Sequence, residues 1–163
     1  MPKRWFLSKK DIKRLKKDIT GIYPSVPLEF KRVERVVEKN YPEILIVDGI
    51  PAFFIYGGKY YPLLVFLLAK GVDWMPRVMV DMGAVKPLMR GADVMAPGVR
   101  DVMGVFNIGD PVAVIDEKYK KPFVVGKALV NSNDLITRKI VKGKVIKNIH
   151  RAGDKLWNLS RSL

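Results

Sequence analysis

The sequence predicts an α+β protein in two parts: a small N-terminal α/β domain over residues 1–75, then a pseudo-barrel of short strands with a helix at its mouth over residues 76–163. Three observations predict it. Of the 163 residues 48% are apolar, enough for a substantial core and too many for a disordered chain. Turn pairs containing glycine, such as Asp48-Gly49, Gly57-Gly58 and Gly109-Asp110, divide the chain into short apolar runs at strand spacing. Helical patterning with start and stop signals is confined to a few segments between them.

The first helix opens at Ser8, an N-cap with Asp11 three residues on as a capping box and Leu7 with Ile12 as a hydrophobic staple. Ile12, Leu15 and Ile19 form its apolar face, Lys10, Lys13, Arg14 and Lys17 lie opposite, and Gly21 is the expected stop. Leu28 to Lys39 alternates imperfectly, and its β-branched content selects strand over helix. Glu43–Val47 and Pro51–Tyr56 read as a hairpin about Asp48-Gly49. Tyr61 to Lys70 is ambiguous by periodicity, but Pro62 near its start and Gly71 after it select a buried helix. Val72 to Pro76, with Trp74, is the junction; it is too short and apolar for a flexible linker.

Beyond the junction, Arg77–Val80 reads as a strand and Ala84–Arg90 as a short helix stopped by Gly91, with Pro97-Gly98 as the next bend. Strands follow at Val112–Ile115 and Pro122–Val130. Ser132 is the expected N-cap of a helical turn. Lys144–Ile149 reads as an edge strand protected by lysines, and Leu156–Leu159 as a closing strand after a Gly153-Asp154 turn.

The net charge of +14 is unevenly placed. Residues 1–17 hold eight Lys and Arg against Asp11, residues 138–163 hold eight against Asp154, and the 120 residues between sum to zero. Two basic ends around a neutral body fit a polyanion footprint better than the alternative, two solvated faces kept basic for solubility. The basic helix likewise reads either as a surface for phosphates or acidic protein, or as an ordinary amphipathic helix.

With no cysteine there is no disulfide, thiolate nucleophile or cysteine zinc site, and a reducing cytoplasm is the expected setting. Met1 to Arg4 runs into a charged helix, so no secretory signal is expected, and the Tyr60–Ala69 run is about half a bilayer span. The single histidine, His150, beside Arg151, reads as a surface strand residue rather than a general base. Asp81, Asp93, Asp101 and Asp110 fall in turns, where aspartate caps and braces, and no nucleotide loop is present. No enzyme activity, cofactor or metal is expected.

The order GAVKPLMRGADVMAPGV from Gly83, then IGDPVAVID from Ile108, then VVGKALVNSNDL from Val124, resembles a PUA domain, the RNA-binding module also carried by archaeosine transglycosylases and the archaeal H/ACA pseudouridine synthase. Gly143 to Leu159 is similar to the closing strands of the small translation proteins related to the malignant T-cell-amplified protein and ligatin, in which a pre-PUA domain precedes the PUA domain. The resemblance implies RNA along Lys86, Met89 and Arg90 on the helix, Gly91 and Ala92 in the loop, and Pro97, Gly98, Val99 and Arg100 at the bend. Charge placement adds Lys144, Lys147 and Arg151 as a phosphate strip. Met95 and Val99 are a candidate apolar floor for a base, although Met89 and Met95 also read as core residues. Trp5 and Trp157 read either as stacking platforms or as core. The implied partners are small-subunit rRNA, tRNA and a separate SUI1-domain protein, with no membrane and a monomeric chain. Two alternatives remain: an RNA-presenting module for tRNA or rRNA modification, and a protein-interaction adaptor with basic docking surfaces.

Overall fold

Eleven strands and five α-helices make up the computed structural model, which describes Met1–Leu163. The first sheet is antiparallel, in the order β1-β2-β3-β4-β5, from Lys3–Phe6 (β1), Val33–Val37 (β2), Ile44–Val47 (β3), Ile50–Tyr56 (β4) and Lys59–Pro62 (β5). Helix α1, Lys9–Ile22, joins β1 to β2. Its start is the expected one: the Ser8 hydroxyl accepts from the Asp11 N–H at 3.2 Å, and Leu15 and Ile19 are buried. Its end is not. The helix passes through Gly21 to Ile22, and Tyr23 closes it, donating its N–H to the Ile19 carbonyl at 2.8 Å while its hydroxyl donates to the Tyr60 carbonyl at 2.7 Å. A tertiary anchor outweighed the local glycine signal.

Three further expectations for this half are corrected. Strand β1 was not foreseen, because all four of its residues are exposed and carry no alternation. In the Leu28–Lys39 segment only Val33–Val37 is strand; the preceding turn wraps the Asp48 carboxylate, which accepts from the N–H groups of Glu29, Phe30, Lys31 and Arg32 at 2.7–3.1 Å. Pro62 ends β5 instead of opening a helix, a strand position where its missing N–H is tolerated. Helix α2 is Leu64–Lys70, and no side chain of its own cap residue, Leu63, bonds its first turn.

The second sheet has the order β7-β11-β10-β9-β6-β8, from Arg77–Val80 (β6), Val94–Met95 (β7), Val99–Met103 (β8), Pro111–Asp116 (β9), Pro122–Ala128 (β10) and Lys144–Arg151 (β11). All pairs are antiparallel except β6 with β9. Inward Val78, Val80, Leu88, Val112, Val114, Val124 and Val145 form its core. The helices are α3, Val85–Met89, entered through a 3₁₀ turn at Met82–Ala84; α4, Ser132–Ile136; and α5, Lys155–Ser162. Ser132 is buried inside α4, exchanging hydroxyl bonds with the Phe106 N–H and carbonyl, so the cap position falls to Asn131. Strand β11 lies between β7 and β10, and is therefore no edge. Leu156–Leu159 is helix, not strand: Asp154 caps α5 by accepting from the Trp157 N–H at 2.7 Å, and Leu156 is buried.

The larger core spans both sheets, uniting Phe53, Phe66 and Met75 with Ala113, Ile115, Val125 and Leu156. Trp74 packs edge-on to Tyr23 at 5.2 Å, and Trp157 is partly buried against the same cluster. His150 is fully buried here, which overturns its surface reading. Its Nε2 accepts from the Leu64 N–H at 3.2 Å, supplying from β11 the cap that α2 lacks, so Nδ1 carries the proton and donates to Asp154 at 3.0 Å. Burial pushes the Asp154 carboxyl up, but the hydrogen bond from His150 and those from the Arg151 and Trp157 N–H groups together hold it below the usual value.

Candidate nucleic-acid interface

A ridge at one end of the second sheet is built from α3 and the loop behind it. Asp81 accepts from the Ala84 N–H at 3.0 Å to start the 3₁₀ turn, and Arg90, in bridge conformation, ends α3. Gly91 then turns the chain at φ +100°, and a Cβ there would stand 3.4 Å from the Arg151 guanidinium, so the expected left-handed stop is present. The loop is tied to β11 by Asn148, whose side-chain N–H groups donate to the Leu88 and Ala92 carbonyls at 3.0 and 2.9 Å and whose backbone N–H donates to Asp93 at 2.8 Å. Arg151 Nε donates to the Met89 carbonyl at 3.1 Å, and Lys144 pairs with Asp93 at 3.3 Å.

The sequence-predicted residues divide into four groups. Lys86, Met89, Arg90, Gly91 and Ala92 share the ridge; Lys86 and Arg90 are exposed and make no side-chain hydrogen bond or ion pair. Met89 and Met95 are 39% and 46% exposed, which decides against core packing for both. Lys144 and Arg151 brace the ridge through the bonds above. Pro97, Val99 and Arg100 line a separate cleft of about 360 Å³ with Ile136 and Val141, beside Gly98. Arg100 is already engaged there, with Asp81 at 2.9 Å and the Pro97 carbonyl at 3.1 Å. Lys147 faces the first sheet, donating to the Tyr56 hydroxyl at 3.2 Å. The predicted strip of Lys144, Lys147 and Arg151 is thus a set of structural ties.

On α1, Lys10, Lys13, Arg14 and Lys17 are all exposed and unpaired, in contrast to Lys144, Lys147 and Arg151. Trp5 is 45% exposed and lines a cleft of about 470 Å³ with Arg14. The sequence reading missed Asn148, whose only signal was an amide among lysines in mid-strand. Asp81, Asp93, Asp101 and Asp110 each accept a backbone N–H, the bracing role expected of them. No group of three or more His, Cys, Asp or Glu side chains is placed to hold a metal ion.

Comparison with known proteins matches residues 76–152 to the PUA domain and residues 3–70 to a domain of unknown function, DUF1947. An uncharacterized protein of Methanocaldococcus jannaschii is 42% identical over 159 residues, covering 96% of each chain. Malignant T-cell-amplified sequence 2 of Mus musculus is 31% identical, covering 91% of this chain and 86% of its own. Translation machinery-associated protein 20 of Saccharomyces cerevisiae is 27% identical, covering 79% and 73%. Among solved structures, a PUA-domain protein of Aeropyrum pernix in complex with tartrate superposes with a TM-score of 0.88 at 36% identity, covering 99% of this chain and 92% of that one.

Proposed function

Because the chain belongs to the PUA-domain family that includes the malignant T-cell-amplified and translation machinery-associated proteins, we propose that it is a non-catalytic RNA-binding protein of the translation apparatus, contacting small-subunit rRNA, tRNA or both. The observation that carries the reading is the ridge of Lys86, Met89 and Arg90 beside the Gly91-Ala92 loop, its two cations unpaired and its methionine exposed. Lys86 and Arg90 neutralise phosphates and supply affinity without sequence choice. Gly91 lets a ribose or phosphate approach the backbone, and the exposed Met89 offers an apolar surface to an unstacked base. Asn148 and Arg151 hold that surface rigid from behind, so little ordering entropy is lost on binding. The acidic side chains nearby serve as caps and braces, which makes positioning the chemistry this surface offers.

Helix α1 supplies a second basic surface, for another RNA segment or for a separate SUI1-domain partner, with the protein itself monomeric and cytoplasmic. Co-sedimentation with purified small ribosomal subunits, alongside binding to bulk tRNA, tests the reading. Subunit association at moderate salt is expected. Binding to free tRNA alone would favour the RNA-presenting module, and no association with either would refute RNA binding.

A further inference from the structure

The first sheet has one open edge that carries both apolar side chains and positive charge, and that edge is β1. The Leu7 N–H bonds the Val33 carbonyl at 2.9 Å, and the register pairs Trp5 with Arg35 and Lys3 with Val37. In this alternation the odd residues exchange hydrogen bonds with β2, so the N–H and C=O groups of Arg4 and Phe6 point away from the sheet, unpaired. An added strand would find exposed side chains on both faces of that edge. Trp5 borders the cleft shared with Arg14, and Phe6, 56% exposed, borders a second of about 290 Å³ lined by Lys9, Lys31 and Arg32. Arg32 stands over the Phe6 ring at 4.9 Å.

We propose that β1 is a docking edge for an extended acidic segment of a partner protein, which adds as a sixth antiparallel or parallel strand with alternate apolar side chains in the two clefts. Charge selects the occupant. Residues 1–17 carry eight cations and one carboxylate, so the edge attracts an acidic strand, gains nothing by charge from a neutral one and repels a basic one. A second copy of this chain is disfavoured on the same ground, since β1 against β1 would bring two α1 helices of like charge together. Nucleic acid has no repeating main-chain donor and acceptor to match Arg4 and Phe6. The edge is remote in sequence from the ridge of the second sheet, and the proposal rests on the partner-protein reading of α1, with which it shares Arg14.

The test selects octapeptides from a random displayed library on the full chain, then measures their affinity for the wild type, Arg4→Ala and Arg4→Pro. Arg4→Ala removes the ion pair with Glu34 but keeps the outward N–H; Arg4→Pro removes both, at an edge position that tolerates proline. The selected peptides are expected to be acidic with alternating apolar residues and to bind Arg4→Pro about tenfold more weakly than Arg4→Ala, the equivalent of about 1.4 kcal/mol. Hydrogen exchange on the wild type should slow at the Arg4 and Phe6 amides when peptide is added, a readout that does not depend on the variant folding. Neutral or basic peptides, unchanged exchange at those amides, equal affinity for the two variants, or no selected peptide would each overturn the proposal. So would a dimer abolished by Arg4→Pro, or RNA binding abolished by Arg4→Pro but not by Arg4→Ala, which would give the edge to another occupant.

Discussion

Replacing His150 with Phe keeps a ring of similar shape against Phe54, whose centroid lies 5.4 Å away, and removes both nitrogens. The Leu64 N–H then loses its acceptor in a site with no water access, at about 1–3 kcal/mol. Asp154 loses a charge-assisted bond of about 1.5–3 kcal/mol. Asp154 keeps the Arg151 and Trp157 N–H groups, and the added apolar ring is well buried, so the two losses are partly offset. We expect a net destabilisation of about 3 kcal/mol, read from urea unfolding at neutral pH as a shifted midpoint with an unchanged slope. The acid limb should change with it. Asp154 binds its proton less readily folded than unfolded, so its contribution is complete above the ordinary carboxylate value and is lost as pH falls through the lower folded one. In His150→Phe that acid loss should be smaller. A destabilisation under about 1 kcal/mol would refute the reasoning, because it would mean that Leu64 needs no cap from β11.

Two other changes follow from backbone geometry. Gly126 sits at the bulge between β10 and β11, where a Cβ would overlap Ile146 Cγ2 and the Lys147 carbonyl oxygen; Gly126→Ala should cost about 3 kcal/mol or abolish folding, seen as a fall in melting temperature. Asp48→Asn leaves one acceptor oxygen where a carboxylate now serves four N–H groups, and should lose about 2 kcal/mol at pH 7. Burial raises the Asp48 carboxyl and the four N–H groups outweigh it, leaving its value lowered, so the gap between Asp48→Asn and wild type should close as the medium is acidified below the ordinary aspartate value.

Local chemistry was legible in the sequence where the structure used it locally. The Ser8 cap, the Asp48-Gly49 hairpin and the Gly91 stop each depend on neighbours within a few residues, and each is found. The misses share the opposite character. Gly21 continues a helix because Tyr23 is anchored 37 residues away on Tyr60. Strand β1 has no pattern of its own, since one paired edge is all that makes it a strand. His150 has a polar signature and a buried place because its two partners lie in α2 and at the α5 cap. For the candidate interface, the ridge itself follows a contiguous motif and was readable. The division of its cations into free Lys86 and Arg90 and engaged Lys144, Lys147 and Arg151 depends on Asp93, Tyr56 and the Met89 carbonyl, and only three dimensions bring those together.

The most direct test of the central claim is the salt dependence of RNA binding by the wild type and by Lys86→Ala/Arg90→Ala, using small ribosomal subunits. Each phosphate contact released lowers the slope of log affinity against log salt by about 0.7–0.9. Loss of two contacts should therefore reduce the slope by about 1.4–1.8 and weaken binding most at low salt, with folding unchanged because neither side chain has a partner to lose. An unchanged slope and affinity would contradict the account and move RNA, if it binds at all, away from the ridge.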